Sequence, residues 1–367
     1  MRREHIIREI NRFSDQWCQT LAQEQSSVLS GVGVWVLLAT LLDGADGQAR
    51  AELETATGLP QHEAVEALNN LFELFEPFDG LKTAVAIWVD QSISLLPKFV
   101  NRLVNVTVDV LPENQSVLDQ WAAENTDRLI ETFPVTISEN TVVLLASALL
   151  ARGKWEYPFD EYDGVLSANF SELDRAAVID DGSTRISRVR IAATNGLDIH
   201  LVTGGETDAP SSVLSAGFAE LQQSASVIPG SKLSVGEKIG CLEATVGKAV
   251  ASSLSVRLKP FHIESNHDLT QHFELFGLQA ASTIDAAHFP YMSNTPLTVS
   301  NGGQAAMIEF GPVGFEAAAI TAFDLRARDP PEKEDQLLLI SNFDRPFGFI
   351  VVHRETKLAL FSGWVDE

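Results

Sequence analysis

The sequence predicts an α/β fold, with helices packed on sheets. Three observations predict it. The first segment, from about Glu4 to Gln25, sets Ile6, Ile7, Ile10, Phe13, Trp17 and Leu21 at helical spacing. Two runs of strand length, LKTAVAIWVD from Leu81 to Asp90 and the nearly continuous apolar run from Thr141 to Leu150, suit a sheet interior. Between Ala168 and Val250, glycines and prolines punctuate short strand-like runs such as Asp198 to Val202. The 367 residues show no internal repeat and no low-complexity linker, so the whole chain, 1–367, is expected to form one domain.

After the first helix, Ser26 to Leu42 (SSVLSGVGVWVLLATLL) opens on a serine-rich turn and becomes a buried helix that ends at the turn residues Asp43 to Gly47. Gln48 to Leu59 and His62 to Phe75 read as two short helices parted by Leu59-Pro60. Glu113 to Glu131 reads as a helix with Val117, Leu118, Trp121, Leu129 and Ile130 as its apolar positions. Ser255 to Glu264 reads as one strand, and Leu269 to Gly277 as a short helix capped by its glycine.

Composition bounds the function. With 45% apolar and 21% charged residues a sizeable core can form, and a formal charge of −24 repels nucleic acid and anionic membrane surfaces. A basic partner could be steered to such a surface. Cys18 and Cys241 stand far apart with no metal-ligand spacing, which favours two buried thiols over the alternative, a disulfide. Met1 to Ile10 alternates charged and apolar residues where an export signal needs an unbroken hydrophobic core, and the longest apolar run, Gly31 to Leu42, is too short to span a bilayer.

No catalytic constellation is present. GxSxG, HExxH, P-loop and GxGxxG patterns are all missing, and the eight histidines are scattered. His267 and His272 lack a third ligand nearby and read as surface or cap histidines. No catalytic residue, metal or cofactor is expected. The six tryptophans fall almost entirely in apolar periodic segments and read as core.

One stretch fits none of these elements. Gly314 to Arg328, GFEAAAITAFDLRAR, is too short and too evenly small to form an apolar helical face, and its side chains are too small to anchor a buried strand. Small side chains are what a segment needs if it must slide between packed strands, where each methylene costs clearance. It reads as a loop capable of becoming a strand.

Here the chain resembles the serpin family. Gly314, one residue, Glu316, the run Ala317, Ala318, Ala319 and then Thr321 resemble the family's loop hinge. LLASALLARGKWEYPFD from Leu144 to Asp160 is similar to a central strand and the segment after it. FDRPFGFIVVHRETKLALFSGWV from Phe343 to Val365 is similar to the C-terminal strand pair. DQSISLLPKF from Asp90 and LDQWAAENT from Leu118 are weaker matches. The resemblance implies a large, mainly antiparallel central sheet with two smaller sheets, surrounding helices, and an exposed reactive loop at about residues 312–335. It also implies a helix across the front of the central sheet, a monomer, irreversible inhibition of a serine protease, and an extracellular location, to which the lack of an export signal in Met1 to Ile10 sets a cytoplasmic one as the alternative. A protease cuts the loop, whose N-terminal part enters the sheet as a strand and distorts the attached acyl-enzyme.

By the family's spacing the cut bond is Arg328–Asp329, with Arg326–Ala327 as second choice; arginine before the cut implies a trypsin-like target. The family's lock on the parting strands maps to Ser30, Ser147 and Gln304, with Gln304 able to bond Ser147 or Ser30. Gly31 and Gly33 depart from the family's proline and second serine. At the hinge, Phe315 stands where a small residue is usual and Pro312 where an acidic one is. In an inserted strand Phe315 would be the lone bulky member of its face, an overpacking that costs about 1–3 kcal/mol, and Pro312 would remove a ladder donor. These two departures favour the alternative, a serpin-fold binding or structural protein that does not inhibit.

Overall fold

The computed structural model describes residues 3–21, 25–76, 78, 80–103, 105–138, 141–283, 287–315 and 333–366. In chain order the elements are α1 (Arg3–Cys18), β1 (Ser27–Leu29), α2 (Gly31–Gly44), α3 (Gly47–Thr57), α4 (Ala64–Phe75), β2 (Leu81–Val89), α5 (Pro97–Val100), β3 (Thr107–Val110), α6 (Gln115–Asn125), β4 (Val143–Ala151), β5 (Gly153–Lys154), β6 (Asp160–Tyr162), β7 (Val165–Phe170), β8 (Ala176–Asp180), β9 (Arg185–Ala192), β10 (Leu197–Thr203), α7 (Pro210–Leu221), β11 (Ser226–Pro229), β12 (Lys238–Ile239), β13 (Leu242–Ala249), β14 (Ser253–Leu258), β15 (Phe261–Asp268), β16 (Gly303–Phe310), β17 (Gly314–Phe315), β18 (Glu334–Phe343), β19 (Phe347–His353) and β20 (Ala359–Val365). They gather into two compact units. One comprises Met1–Trp17, Leu29–Ala151 and Glu264–Met307; the other comprises Cys18–Val28, Arg152–Ile263 and Ile308–Glu367.

In the first unit, the helical spacing of α1 buries Ile6, Ile10, Phe13 and Trp17, and the rings of Phe13 and Trp17 pack on Phe276 at 5.9 and 5.3 Å. The helix stops at Cys18, short of the predicted Gln25. Helix α2 is buried nearly all round, which is why its sequence lacks a polar face. Strands β2 and β4 pair antiparallel from Leu81↔Ala151 to Val89↔Val143, and β3 joins β2 in parallel, so the two predicted central strands are neighbours in a three-stranded sheet. Helix α6 covers that sheet: Trp121 meets Trp88 edge-on at 5.1 Å, and Leu118 is fully buried in the same cluster. It ends before the predicted Glu131, because Asp127 and Arg128 take left-handed φ of 50° and 67°. Leu269 to Gly277 is a 3₁₀ turn over Leu269–His272 rather than a helix, and the chain leaves it at Gly277 with φ of 65°.

In the second unit, a seven-stranded sheet runs β1-β20-β19-β10-β9-β8-β11 and is antiparallel from β20 to β11. A six-stranded sheet runs β12-β13-β18-β14-β7-β6, with β14 and β18 parallel. The predicted strand Ser255–Glu264 is two strands, β14 and β15, parted at Lys259-Pro260 because proline has no N–H for the ladder. Cys18 and Cys241 are both buried and free. Among the described residues no helix is long and apolar enough to cross a membrane, and no group of three or more His, Cys, Asp or Glu is placed to hold a metal ion.

Candidate functional site

The hinge lies in the second unit and is built by a reversal of the chain. After Phe310 at the end of β16, residues 311–313 turn, and Gly314–Phe315 return as β17 with Phe315 opposite Phe310. On its other side β17 pairs antiparallel with β5, Gly314↔Lys154 and Phe315↔Gly153. The Gly311 N–H closes the turn on the Gly314 carbonyl at 2.9 Å. The segment after β5 then fastens it. The backbone N–H of Trp155 donates to Val313 O at 2.9 Å, that of Phe159 to Pro312 O at 2.7 Å, and the Trp155 indole Nε1–H to Gly311 O at 2.9 Å.

Two sequence expectations change here. Phe315, expected at the start of an exposed loop, is 2% exposed and lies in a strand, its ring centroid 5.5 Å from that of Trp155. Room for it comes from Gly153, where a Cβ would stand 2.6 Å from Phe315 Cε1. Pro312, expected to remove a ladder donor, sits in the turn between strands, where no ladder donor is called for and its carbonyl is used. At the far end, Glu334, Asp335 and Gln336 belong to β18, paired with Ala249, Lys248 and Gly247, so the expected loop boundary at about 335–336 moves back. Glu316, Ala317, Ala318, Ala319, Thr321, Arg326, Ala327, Arg328 and Asp329 lie outside the described residues.

A charge network supports the Trp155 segment. Glu156 accepts from Arg175 Nη2 at 3.2 Å and pairs with Arg354 Nη1 at 2.9 Å; Arg175 Nε also donates to Glu172 at 2.9 Å, and Arg354 Nε to Asp198 at 2.9 Å. The Arg175 guanidinium, nearly buried, lies over the rings of Tyr157 and Phe170 at 5.1 and 5.0 Å. Burial opposes its charge, but hydrogen bonds to Glu172 and Glu156 outweigh burial and raise its pKa. The same hydrogen bond from Arg175 holds Glu172 below the usual carboxylate range.

Ser30, Ser147 and Gln304, the residues expected to form the lock, converge within the first unit, at the N-terminus of α2. Ser30 caps the helix, its Oγ accepting from Gly33 N at 3.3 Å. Gln304 accepts from Ser30 N at 2.8 Å and donates to Ser30 O at 2.8 Å, while Ser147 Oγ donates to Gly33 O at 2.7 Å. Gln304 and Ser147 thus meet the helix terminus rather than each other. The glycines in this turn have reasons: a Cβ on Gly33 would crowd Gln304 Nε2 at 3.3 Å, and one on Gly31 would overlap the Ser14 side chain. Strand β4, which carries Ser147, is an outer strand of its sheet. Beside it lies a cavity of about 100 Å³ lined by Val34, Leu38, Val143, Leu145, Leu297 and Gly303, among others.

Sequence reasoning missed Gly153, Trp155 and Phe159 as the hinge's anchors, although they stand inside the quoted run ending GKWEYPFD. Their signal was that run's similarity to a family segment, which says that they matter but not what they touch.

A family model described as serpin (serine protease inhibitor) matches residues 8–173 and 237–367. The gap between the two matched stretches falls in the glycine- and proline-punctuated middle. A serine protease inhibitor of Cyanea capillata is 23% identical over 93% of this chain and 92% of its own length. The solved structure of Tengpin, a thermophilic serpin in its native state, superposes with a TM-score of 0.75 at 18% identity, covering 98% of this chain and 94% of that one. A thyroxine-binding globulin in complex with thyroxine gives 0.74 at 16% identity, covering 99% and 98%.

Proposed function

The chain belongs to the serpin family of serine protease inhibitors, and on that premise we propose that it is an irreversible suicide-substrate inhibitor of a trypsin-like serine protease, cut at Arg328–Asp329 or, second, at Arg326–Ala327. Family membership supports protease inhibition in general. The insertion mechanism is carried by one observation: β17 already enters antiparallel to a strand on each side, Phe310 opposite Phe315 and Lys154 opposite Gly314. A strand continuing from Phe315 would gain backbone hydrogen bonds worth about 1 kcal/mol each, together with burial of its small side chains. Intact stability is then kinetic, with cleavage releasing the chain into a deeper minimum. Arginine before the cut selects a protease with an acidic specificity pocket.

The second reading is a serpin-fold binding protein that does not inhibit. It is favoured by a hinge whose turn carries Pro312 and whose end is sealed by the buried Phe315. Similarity to a globulin that binds thyroxine supports the same reading. One denaturing gel of the protein with trypsin at equal concentration separates the two. A covalent complex that survives denaturant supports the inhibitor; a nicked product alone leaves the binding protein.

A further inference from the structure

The six-stranded sheet ends on an edge that is only half closed. Strand β13 pairs along its length with β18, from Leu242↔Ser341 to Ala249↔Glu334, but on its other side β12 reaches only Leu242 and Glu243. Gly236 and Glu237 extend that cover by one residue: Gly236 N donates to Ala244 O at 2.7 Å, and Ala244 N to Glu237 O at 2.9 Å. Backbone groups alternate sides along a strand, so those of Val246 and Lys248 point away from β18 as those of Ala244 do. No described residue bonds them. Lysine on an edge usually keeps other strands off, but Lys248 pairs with Asp335 at 3.0 Å. Val246 and Val250 are 47% and 55% exposed, and Ile340 on β18 is 42% exposed.

We propose that the open edge of β13 takes an extended peptide segment of a partner protein, alternating apolar and basic residues, as an added strand. Its backbone pairs with Val246 and Lys248. On one face its apolar residues lie beside Val246 and Leu337, which are register partners. On the other face its basic side chains run their aliphatic stems over Leu338, which leans across Gly247, toward the exposed Glu243 and Glu334. Charge selects that partner over a second copy of this chain, because each copy carries −24. The site does not depend on the loop being cut or inserted.

The test is calorimetry of the intact full chain with the end-blocked heptapeptide Lys-Val-Lys-Val-Lys-Val-Lys, and with the counterpart in which glutamate replaces each lysine. The parent is expected to bind the lysine peptide at least about tenfold more tightly than the glutamate one. Lys248→Pro removes only an outward N–H, so the ladder to β18 stands, and should weaken binding about tenfold. Lys248→Gln keeps that N–H and should bind no worse than the parent. Glu334→Lys should weaken the lysine peptide roughly threefold and strengthen the glutamate one by as much. If Lys248→Pro does not fold, Val246→Pro, whose N–H also points outward, takes its place. No binding of the lysine peptide at about 1 mM, equal binding of both peptides, or an unchanged affinity in the proline variant overturns the proposal. So does a dimer of the parent that the proline variant dissolves, which gives the edge to a second copy. Slow amide exchange at Val246 and Lys248 in the free monomer also overturns it, because the chain would then cover its own edge.

Discussion

The side-chain amide of Gln304 holds both backbone groups of Ser30, accepting from its N–H and donating to its carbonyl, each at 2.8 Å. Both groups are buried at a helix terminus, where water cannot replace a lost partner. Gln304→Ala is therefore expected to cost about 1–3 kcal/mol for each group left unpaired. Gln304→Glu is expected to be no milder, because it keeps the acceptor for Ser30 N but sets a buried carboxylate against the Ser30 carbonyl in place of a donor. Thermal midpoints of the intact variants check this: both fall below the parent.

The convergence of Ser30, Ser147 and Gln304 was legible in the sequence, and so was α1, whose partners recur along one helix face. Phe315 was not. Periodicity says that a ring at 315 faces the same side as Ala317, but whether it fits depends on Gly153, a residue remote in sequence whose missing side chain carries no periodic signal. Pro312 depends on context in a related way: here it stands in a turn rather than in a ladder, and that turn closes between Gly311 and Gly314. The break at Pro260 was readable, since a proline inside a strand pattern marks a boundary.

Arg175 serves two carboxylates and two aromatic faces at once. Arg175→Lys keeps the charge but has no planar fork to divide between Glu156 and Glu172 and stacks poorly on Tyr157 and Phe170. Arg175→Met removes the charge and leaves Glu156 to Arg354 alone. Unfolding free energies should fall modestly for Lys and further for Met, by about 3–5 kcal/mol at most, since Glu156 and Glu172 are partly exposed.

A buried group of His200, Glu220 and Arg188 makes stability depend on pH. Arg188 grips Glu220 at 2.6 and 3.1 Å, and His200 Nδ1 lies 3.6 Å from Glu220. Burial pushes His200 below 6.5; burial works to raise Glu220, but His200 and Arg188 beside it carry it well below its ordinary 4.5. Both folded values lie under the unfolded ones, so this stability is present above the unfolded pKa and is lost as pH falls, beginning near 6.5 for His200 and near 4.5 for Glu220. His353, also lowered by burial, acts in the same window as His200. Melting curves between about pH 7 and pH 5 should show the midpoint falling less steeply in His200→Gln than in the parent.

Arg326 and Arg328 lie in the stretch between Phe315 and Glu334, where the bait bond is proposed. A brief digest with trypsin should give a first C-terminal fragment beginning at Asp329 or Ala327 and carrying the FDRPF sequence. Mass spectrometry identifies it. A first fragment that begins elsewhere, with this stretch intact, would remove the bond assignment.

The most direct measurement of the insertion account is the thermal midpoint of the parent protein before and after a single cut between Phe315 and Glu334. Insertion adds a whole strand, so a cut chain that enters the sheet melts higher than the intact one, because the backbone hydrogen bonds and burial it gains add to the unfolding free energy. That rise is the predicted result. An unchanged or lower midpoint in the cut protein would mean that the chain beyond Phe315 does not enter the sheet, and would contradict the account.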